Sequence, residues 1–188
     1  MKTDHNFIEG TRIYLREVRV SDVNETYYRW MNDPEIIQYL ESRFAPNSMG
    51  SLLEYVKDFQ ENKDNIFLAV VLKENHAHIG NIKIGPINWF HRLADIGIII
   101  GEKDCWGNGY ASEAISLLTD FAFNTLNLHK LTAGCYEQNM GSLKTFQKAG
   151  FEIEGVRKQH CFSNGNYVNA TLLGKINHME KDDEKEIK

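Results

Sequence analysis

Asp104 to Ala114 reads "DCWGNGYASEA", with Gly107 and Gly109 set just before a segment whose apolar residues recur at helical spacing. Ala111, Ala114, Ile115, Leu118, Phe121 and Ala122 define that face, which predicts a helix from Tyr110 to about Leu126. Upstream, "RLADIGIIIG" reads as a strand, apolar on both faces after Asp95. A strand, a glycine loop and a helix start together make an anion site. The first helical turn leaves backbone N–H groups without partners, and the helix dipole adds positive charge there. Glycines let an anion approach the bare backbone. The loop is not a P-loop, because no Lys-Ser or Lys-Thr follows. It also lacks the full dinucleotide fingerprint, since the third position after Gly109 is Ser112. A tight turn that merely opens the helix is the competing reading.

Working outward, "RIYLREV" alternates and predicts a first strand. Ser21 is the expected N-cap of a helix running to Trp30 or Met31, supported by Asp22 and Glu25. Pro34 restarts a short helix through Leu40. "FAPNSMG" reads as a loop, and Asn47 or Ser48 as the cap of a helix presenting Leu52, Leu53, Val56 and Phe59 on one face. "NIFLAVVLK" and "HIGNIKIG" form a hairpin pair that Pro86 ends. After the glycine-loop helix, "KLTAGCYE" is a strand. "NMGSLKTFQKAG" is a helix with Asn139 as N-cap and Gly150 as stop. "FEIEGVRKQHCF" and "NYVNATLLGKI" are strands joined at "SNGN". The order is strand, two helices, three strands, helix, strand, helix, two strands. It predicts one α/β domain over residues 1–176, with a mixed, mostly antiparallel sheet, and a charged tail over residues 177–188.

The bulk composition fits this reading. The 188 residues suit one domain, and 42% hydrophobic with 25% charged residues excludes disorder as the main character. A net charge of −5 gives no basic footprint for nucleic acid. The odd count of three cysteines, Cys105, Cys135 and Cys161, without a CxxC spacing, argues against a disulfide framework and a cysteine zinc site. The polar "MKTDHNFIEG" lacks the apolar core of a signal peptide, and "IGIII" is too short to span a bilayer. A cytoplasmic protein without a membrane partner is expected. The seven histidines are scattered, and "HAH" at His76 and His78 lacks a third ligand, so no metal is expected.

"WGNGYA" resembles the acetyl-CoA pyrophosphate loop of the GCN5-related N-acetyltransferases, the GNAT superfamily. Its pattern, Gln/Arg-x-x-Gly-x-Gly/Ala, falls on Trp106, Gly109 and Ala111, with Trp106 replacing the usual first residue. "GEKDCWGNGYASEA" resembles the branch containing the ribosomal-protein N-terminal acetyltransferases. "NMGSLKTFQKAGFEIEGVRK" resembles that branch's second block, with Asn139, Ser142, Lys148, Gly150 and Phe151 in the corresponding positions. The resemblance implies the GNAT fold from Thr11 to Ile176, with one splayed parallel strand pair and flanking helices. It implies acetyl-CoA as co-substrate, held by Trp106, Gly107, Asn108, Gly109, Tyr110, Ala111 and Ser112. It also implies pantetheine pairing with the backbone of Ile98, Ile99 and Ile100, and cofactor contacts from Asn139, Ser142 and Phe146. A homodimer is common in the branch.

The reaction so implied is direct acyl transfer to an amine. The amine must be neutral to attack, the thiolate needs a proton, and the developing oxyanion needs an N–H donor. Asp95 aligns with the carboxylate that some members use as base. Its alternative is a strand-edge carboxylate bonded to a neighbour. Asn139 is a cap first, with a catalytic or cofactor contact added by the resemblance. Many members use a tyrosine seven residues after this asparagine. Here that residue is Phe146, which leaves Ser142 as first choice of acid and Tyr136, Tyr167 and water as alternatives. Trp30, Trp89, Phe90 and His91 fall in segments that form the acceptor side, or they serve packing. The acceptor is expected to be a small-molecule amine such as a nucleotide-linked amino sugar. A protein N-terminal amine is the alternative acceptor, an aminoglycoside or polyamine a further one, and an inactive acyl-CoA-binding module the alternative function.

Overall fold

The computed structural model describes residues 6–178. One eight-stranded sheet runs through it, in the order β1-β2-β3-β4-β5-β6-β8-β7. The strands are β1 (Ile8–Glu9), β2 (Ile13–Glu17), β3 (Ile66–Leu72), β4 (His78–Ile84), β5 (Leu93–Ile100), β6 (Lys130–Tyr136), β7 (Glu152–Ser163) and β8 (Asn166–Ile176). The helices are α1 (Glu25–Asn32), α2 (Pro34–Ile37), α3 (Met49–Glu61), α4 (Tyr110–Asn124) and α5 (Met140–Lys148). Every neighbouring pair is antiparallel except β5 and β6. This is the α/β architecture expected, with one parallel pair inside a mostly antiparallel sheet.

Strand alternation sorts side chains to two cores. Ile13, Leu15, Leu68 and Val70 face α4, whose Ala114, Ile115, Leu118 and Ala122 are buried. Tyr14, Ala69 and Val71 face the opposite layer, where Tyr27, Trp30, Leu52 and Val56 are buried. β3 is one apolar run because both of its faces are covered. Each fully buried aliphatic side chain here contributes about 1.5–3 kcal/mol relative to exposure.

Several expectations need correction. Ser21 is not a helix cap. It lies in a 3-10 turn over Val20–Asp22, and α1 starts after Asn24, whose side chain accepts from Thr26 and Tyr27 N–H. Asp22 is drawn off by a two-pronged pair with Arg16 at 2.7 and 2.8 Å. β5 is not buried on both faces: Asp95 is exposed and Gly97 to Ile100 are half-buried. β6 has left its side by that point. The "FAPNSMG" loop is shorter than expected, because Phe44 closes a 3-10 turn and Met49 opens α3 after the Ser48 cap. Asn177, assigned to the tail, is buried and donates its backbone N–H to His129. Residues 179–188 of that tail lie outside the described residues. Cys105, Cys135 and Cys161 are free thiols. Among the described residues, no helix is long and apolar enough to cross a membrane.

Candidate functional site

Three features meet at the C-terminal half of β5. The first is a fork. β5 pairs with β6 only from Leu93 to Asp95, opposite Lys130 to Thr132. Beyond Asp95, β5 pairs with β4 alone and β6 with β8 alone. The edge of Ile96–Ile100 that faces β6 is therefore open backbone. Asp95 stands at the crotch and accepts a hydrogen bond from Thr132 Oγ1.

The second is the glycine loop. Gly107 and Gly109 have φ of +75° and +83°, a conformation glycine adopts without cost. A Cβ at Gly107 would meet nothing within 4 Å, so the loop is an open cradle. Gly109 is the N-cap residue of α4, and no side chain caps that helix. Two cations flank the loop. Arg12 Nη1 donates to Asn108 O at 2.8 Å, Arg12 Nε to Glu113 at 2.9 Å, and its guanidinium stacks on Tyr110. Lys148 Nζ lies 3.9 Å from where a Gly109 Cβ would stand. Burial works against the Glu113 carboxylate, but the backbone N–H and guanidinium of Arg12 outweigh it and hold its pKa below the usual value. Bare N–H groups, a helix dipole and two cations suit a pyrophosphate.

The third is a cavity of about 750 Å³ beside Gly97 to Ile99 of β5; Asp95 is not among its lining residues. Ile98, Ile99, Gly134 and Cys135 line it from the fork, and Glu41, Asn81, Tyr136 and Arg157 line it from around. Tyr136 donates its hydroxyl to Glu41 at 2.8 Å and receives a bond from Arg43 at 3.0 Å. Burial first, and then the bond to Glu41, push the Tyr136 phenol above its ordinary pKa. Asn81 is 2% exposed, and its Oδ1 lies 2.8 Å from His78 Nε2. Burial lowers the His78 pKa, against the opposing pull of its bonds to Asn81 and Gly80.

A model of the Acetyltransferase (GNAT) domain family matches residues 12–152. The chain belongs to this family. Among its relatives is the uncharacterised N-acetyltransferase YoaA of Bacillus subtilis (strain 168), 30% identical over 84% of this chain and 89% of that one. Spermidine N(1)-acetyltransferase of Escherichia coli (strain K12) is 34% identical, over 53% of each chain. The crystal structure of spermidine N-acetyltransferase from Vibrio cholerae, in complex with CoA and spermine, superposes with a TM-score of 0.79. It is 25% identical and covers 88% of this chain and 96% of its own. Where these relatives name a substrate it is spermidine, not a ribosomal protein. This GNAT chain is an N-acetyltransferase, with acetyl-CoA as the co-substrate of that activity.

The GNAT fold brings some of the expected site residues together and separates others. Ile98 and Ile99 line the cavity, while Ile98 and Ile100 also pack on the core. Trp106 is half exposed, and its Nε1 donates to Ile100 O at 2.8 Å, which pins the loop to the end of the open strand. Asn108 Nδ2 ties back to Asp104 O, and Tyr110, Ala111 and Ser112 form the first turn of α4. Asn139 caps α5, its Oδ1 accepting from Ser142 N–H at 3.0 Å. Phe146 is 3% exposed and packs edge-on against Phe151, so its side chain offers a ligand almost no surface. Trp30 is 1% exposed, lies over Gly101 and donates to Glu102, which makes it a core residue rather than a cavity wall. Trp89, Phe90 and His91 are exposed on the loop before β5, with Phe90 97% exposed, and none lines the cavity. Tyr167 is exposed at the β7–β8 turn. Among the described residues, no three His, Cys, Asp or Glu side chains group as a metal site.

Glu41, Arg43, Asn81, Lys83, Arg157 and His160 escaped the sequence reading. Nothing local marks them, since they meet only when the 3-10 turn after α2, β4 and β7 fold around one space. Arg12 was readable only as part of a strand, although its guanidinium supports the glycine loop.

Proposed function

We propose that this acetyltransferase moves an acetyl group from acetyl-CoA to a primary amine of a small molecule held in the cavity beside the fork. The observation that carries this reading is the continuity of open β5 backbone with an uncapped glycine-loop helix at one end and the cavity along its side. Acetyl-CoA supplies an activated thioester. Gly107 to Ser112, with Arg12 and Lys148, would hold its pyrophosphate. The open backbone of Ile98 and Ile99 would take its amide arm.

Asp95 is the proposed base. It lies at the crotch on the same face of β5 as Gly97, which lines the cavity, and Thr132 orients its carboxylate. Tyr136 and Ser142 are the proposed proton donors to the departing sulfur. Tyr136 carries the hydroxyl that already lines the cavity. Asn139 acts through its cap, which orders the first turn of α5 around Ser142.

Two acceptor classes follow from different observations. The resemblance suggests a nucleotide-linked amino sugar, and the relatives named above suggest a polyamine. We further read the enzyme as cytoplasmic, as expected from its sequence, and, from the resemblance alone, as homodimeric.

The test is a panel of amines with detection of released CoA thiol. Release that depends on a primary amine supports the reading. Tight acetyl-CoA binding without release for any amine would instead favour a binding module. Asp95→Asn is expected to lower turnover by roughly a hundredfold, the scale of general-base catalysis, and to flatten the acid limb of the pH–rate profile. An unchanged profile removes Asp95 as the base.

A further inference from the structure

We infer that the acceptor carries an anionic group, phosphate or carboxylate, beside its amine, and that Arg157 and Lys83 bind it. The inference rests on reading the cavity as the acceptor site. The chain as a whole is acidic, at −5, yet the cavity reverses that balance. Lys83, Arg157 and His160 line it, and among its described lining residues Glu41 is the one carboxylate. Glu41 is already engaged by the Tyr136 hydroxyl.

Neither cation has an ion-pair partner among the described residues. Lys83 crosses β5 at Gly97, its Cε 3.7 Å from where a Cβ would stand. Its ammonium contacts two neutral groups, Tyr55 OH at 3.5 Å and the Phe59 ring at 5.5 Å. Arg157 is placed by a bulge in β7. Between Arg157 and Cys161 the register slips, so that Lys158, Gln159 and His160 stand opposite Asn169 alone. Gln159 takes φ of +47°, which a non-glycine residue adopts only when held there. Asn169 holds it: its Oδ1 accepts from Gln159 N–H at 2.9 Å, and its Nδ2 donates to Glu137 at 2.9 Å. Bulges of this kind redirect side chains. Here one end of the bulge aims Arg157, and the other His160, at the same space, with 3.5 Å between Arg157 Nη1 and His160 Nε2.

A planar guanidinium facing a cleft whose one lining carboxylate, Glu41, is engaged elsewhere suits an incoming carboxylate or phosphate, which it binds through paired hydrogen bonds. A polyamine would bring two or more positive charges against Lys83 and Arg157, with one engaged carboxylate to offset them. The charge of the cavity therefore argues against a polyamine as the acceptor of this chain.

The experiment measures kcat/KM for glucosamine 6-phosphate against glucosamine, for β-alanine against β-alaninamide, and for spermidine. The first pair reports phosphate and the second carboxylate. At least one anionic acceptor is expected to exceed its uncharged counterpart by about tenfold or more, the worth of one charge-assisted contact, with spermidine the poorest. Arg157→Met and Lys83→Met should each shrink that ratio severalfold, and Arg157→Lys should restore much of it. Calorimetric titration of the preferred acceptor into the CoA-bound protein should weaken in parallel, while acetyl-CoA affinity stays at the wild-type value. Spermidine turned over better than the anionic amines, or a ratio that Arg157→Met leaves intact, overturns the inference. No thiol release with any amine overturns the acetyltransferase reading beneath it, a separate outcome.

Discussion

The N-termini of α4 and α5 begin from the same local problem and end differently. Each helix starts with N–H groups that have no intrahelical acceptor. In α5, Asn139 Oδ1 closes the terminus by accepting from Ser142 N–H at 3.0 Å. Asn24 does the same for α1, and Ser48 does so for α3 through a reciprocal bond with Ser51. In α4 the cap position is Gly109, which has no side chain to offer. Glu113, the acidic residue of that first turn, is turned aside to Arg12. A side chain closes a terminus whose work is structural. Where the chain leaves one open, with two glycines at positive φ and two cations beside it, the proposed partner is an external anion.

The largest effect that breaks this contrast is expected from Gly109→Glu. The carboxylate would occupy the open terminus and take Arg12 and Lys148 as partners. Acetyl-CoA affinity should fall by about a hundredfold or more, measured by calorimetry, since both charge and cradle are lost. The left-handed backbone adds a strain of about 1–2 kcal/mol, small enough for the fold to survive. An unchanged affinity would make α4 an ordinary helix start.

At α5 the expected loss is of stability instead. Asn139→Ala should destabilise the protein by about 1 kcal/mol, read from chemical denaturation, and Asn139→Asp should recover most of it because aspartate caps equally well. If Asn139→Asp keeps stability yet loses turnover, the amide nitrogen has a part in the reaction and the two termini are more alike than their geometry suggests.

The smallest effect is on pH dependence. The folded pKa of Glu113 lies below its reference value of 4.5. Its pairing with Arg12 therefore stabilises the fold fully above that reference value and is lost as pH falls through the lower, folded value. The melting temperature of wild type should exceed that of Glu113→Gln at neutral pH, and the two should converge in acid. A gap that persists at low pH would show that Glu113 supports the loop by packing rather than by charge.

Much of the fold was legible because its signals are local. The alternation in "RIYLREV", the caps at Ser48 and Asn139, the left-handed Asn164–Gly165 turn and the stop at Gly150 each depend on a few adjacent residues. Ser21 misled because a serine ahead of acidic residues looks like a cap whatever Arg16 does with Asp22. β5 misled because an apolar run cannot reveal that its neighbour departs after three residue pairs. Trp106, which breaks the usual loop pattern, reads only in three dimensions as a donor to Ile100 O.

The sequence by itself determined the α/β class, the glycine loop at a helix start and the superfamily, since backbone conformation and hydrophobic period are written residue by residue. Only the tertiary structure decided where β5 and β6 part, which aromatics are core rather than cavity wall, and which charges line the cavity. Those depend on register and on bulges such as Lys158–His160, where long-range pairing, rather than local preference, sets the direction of every side chain.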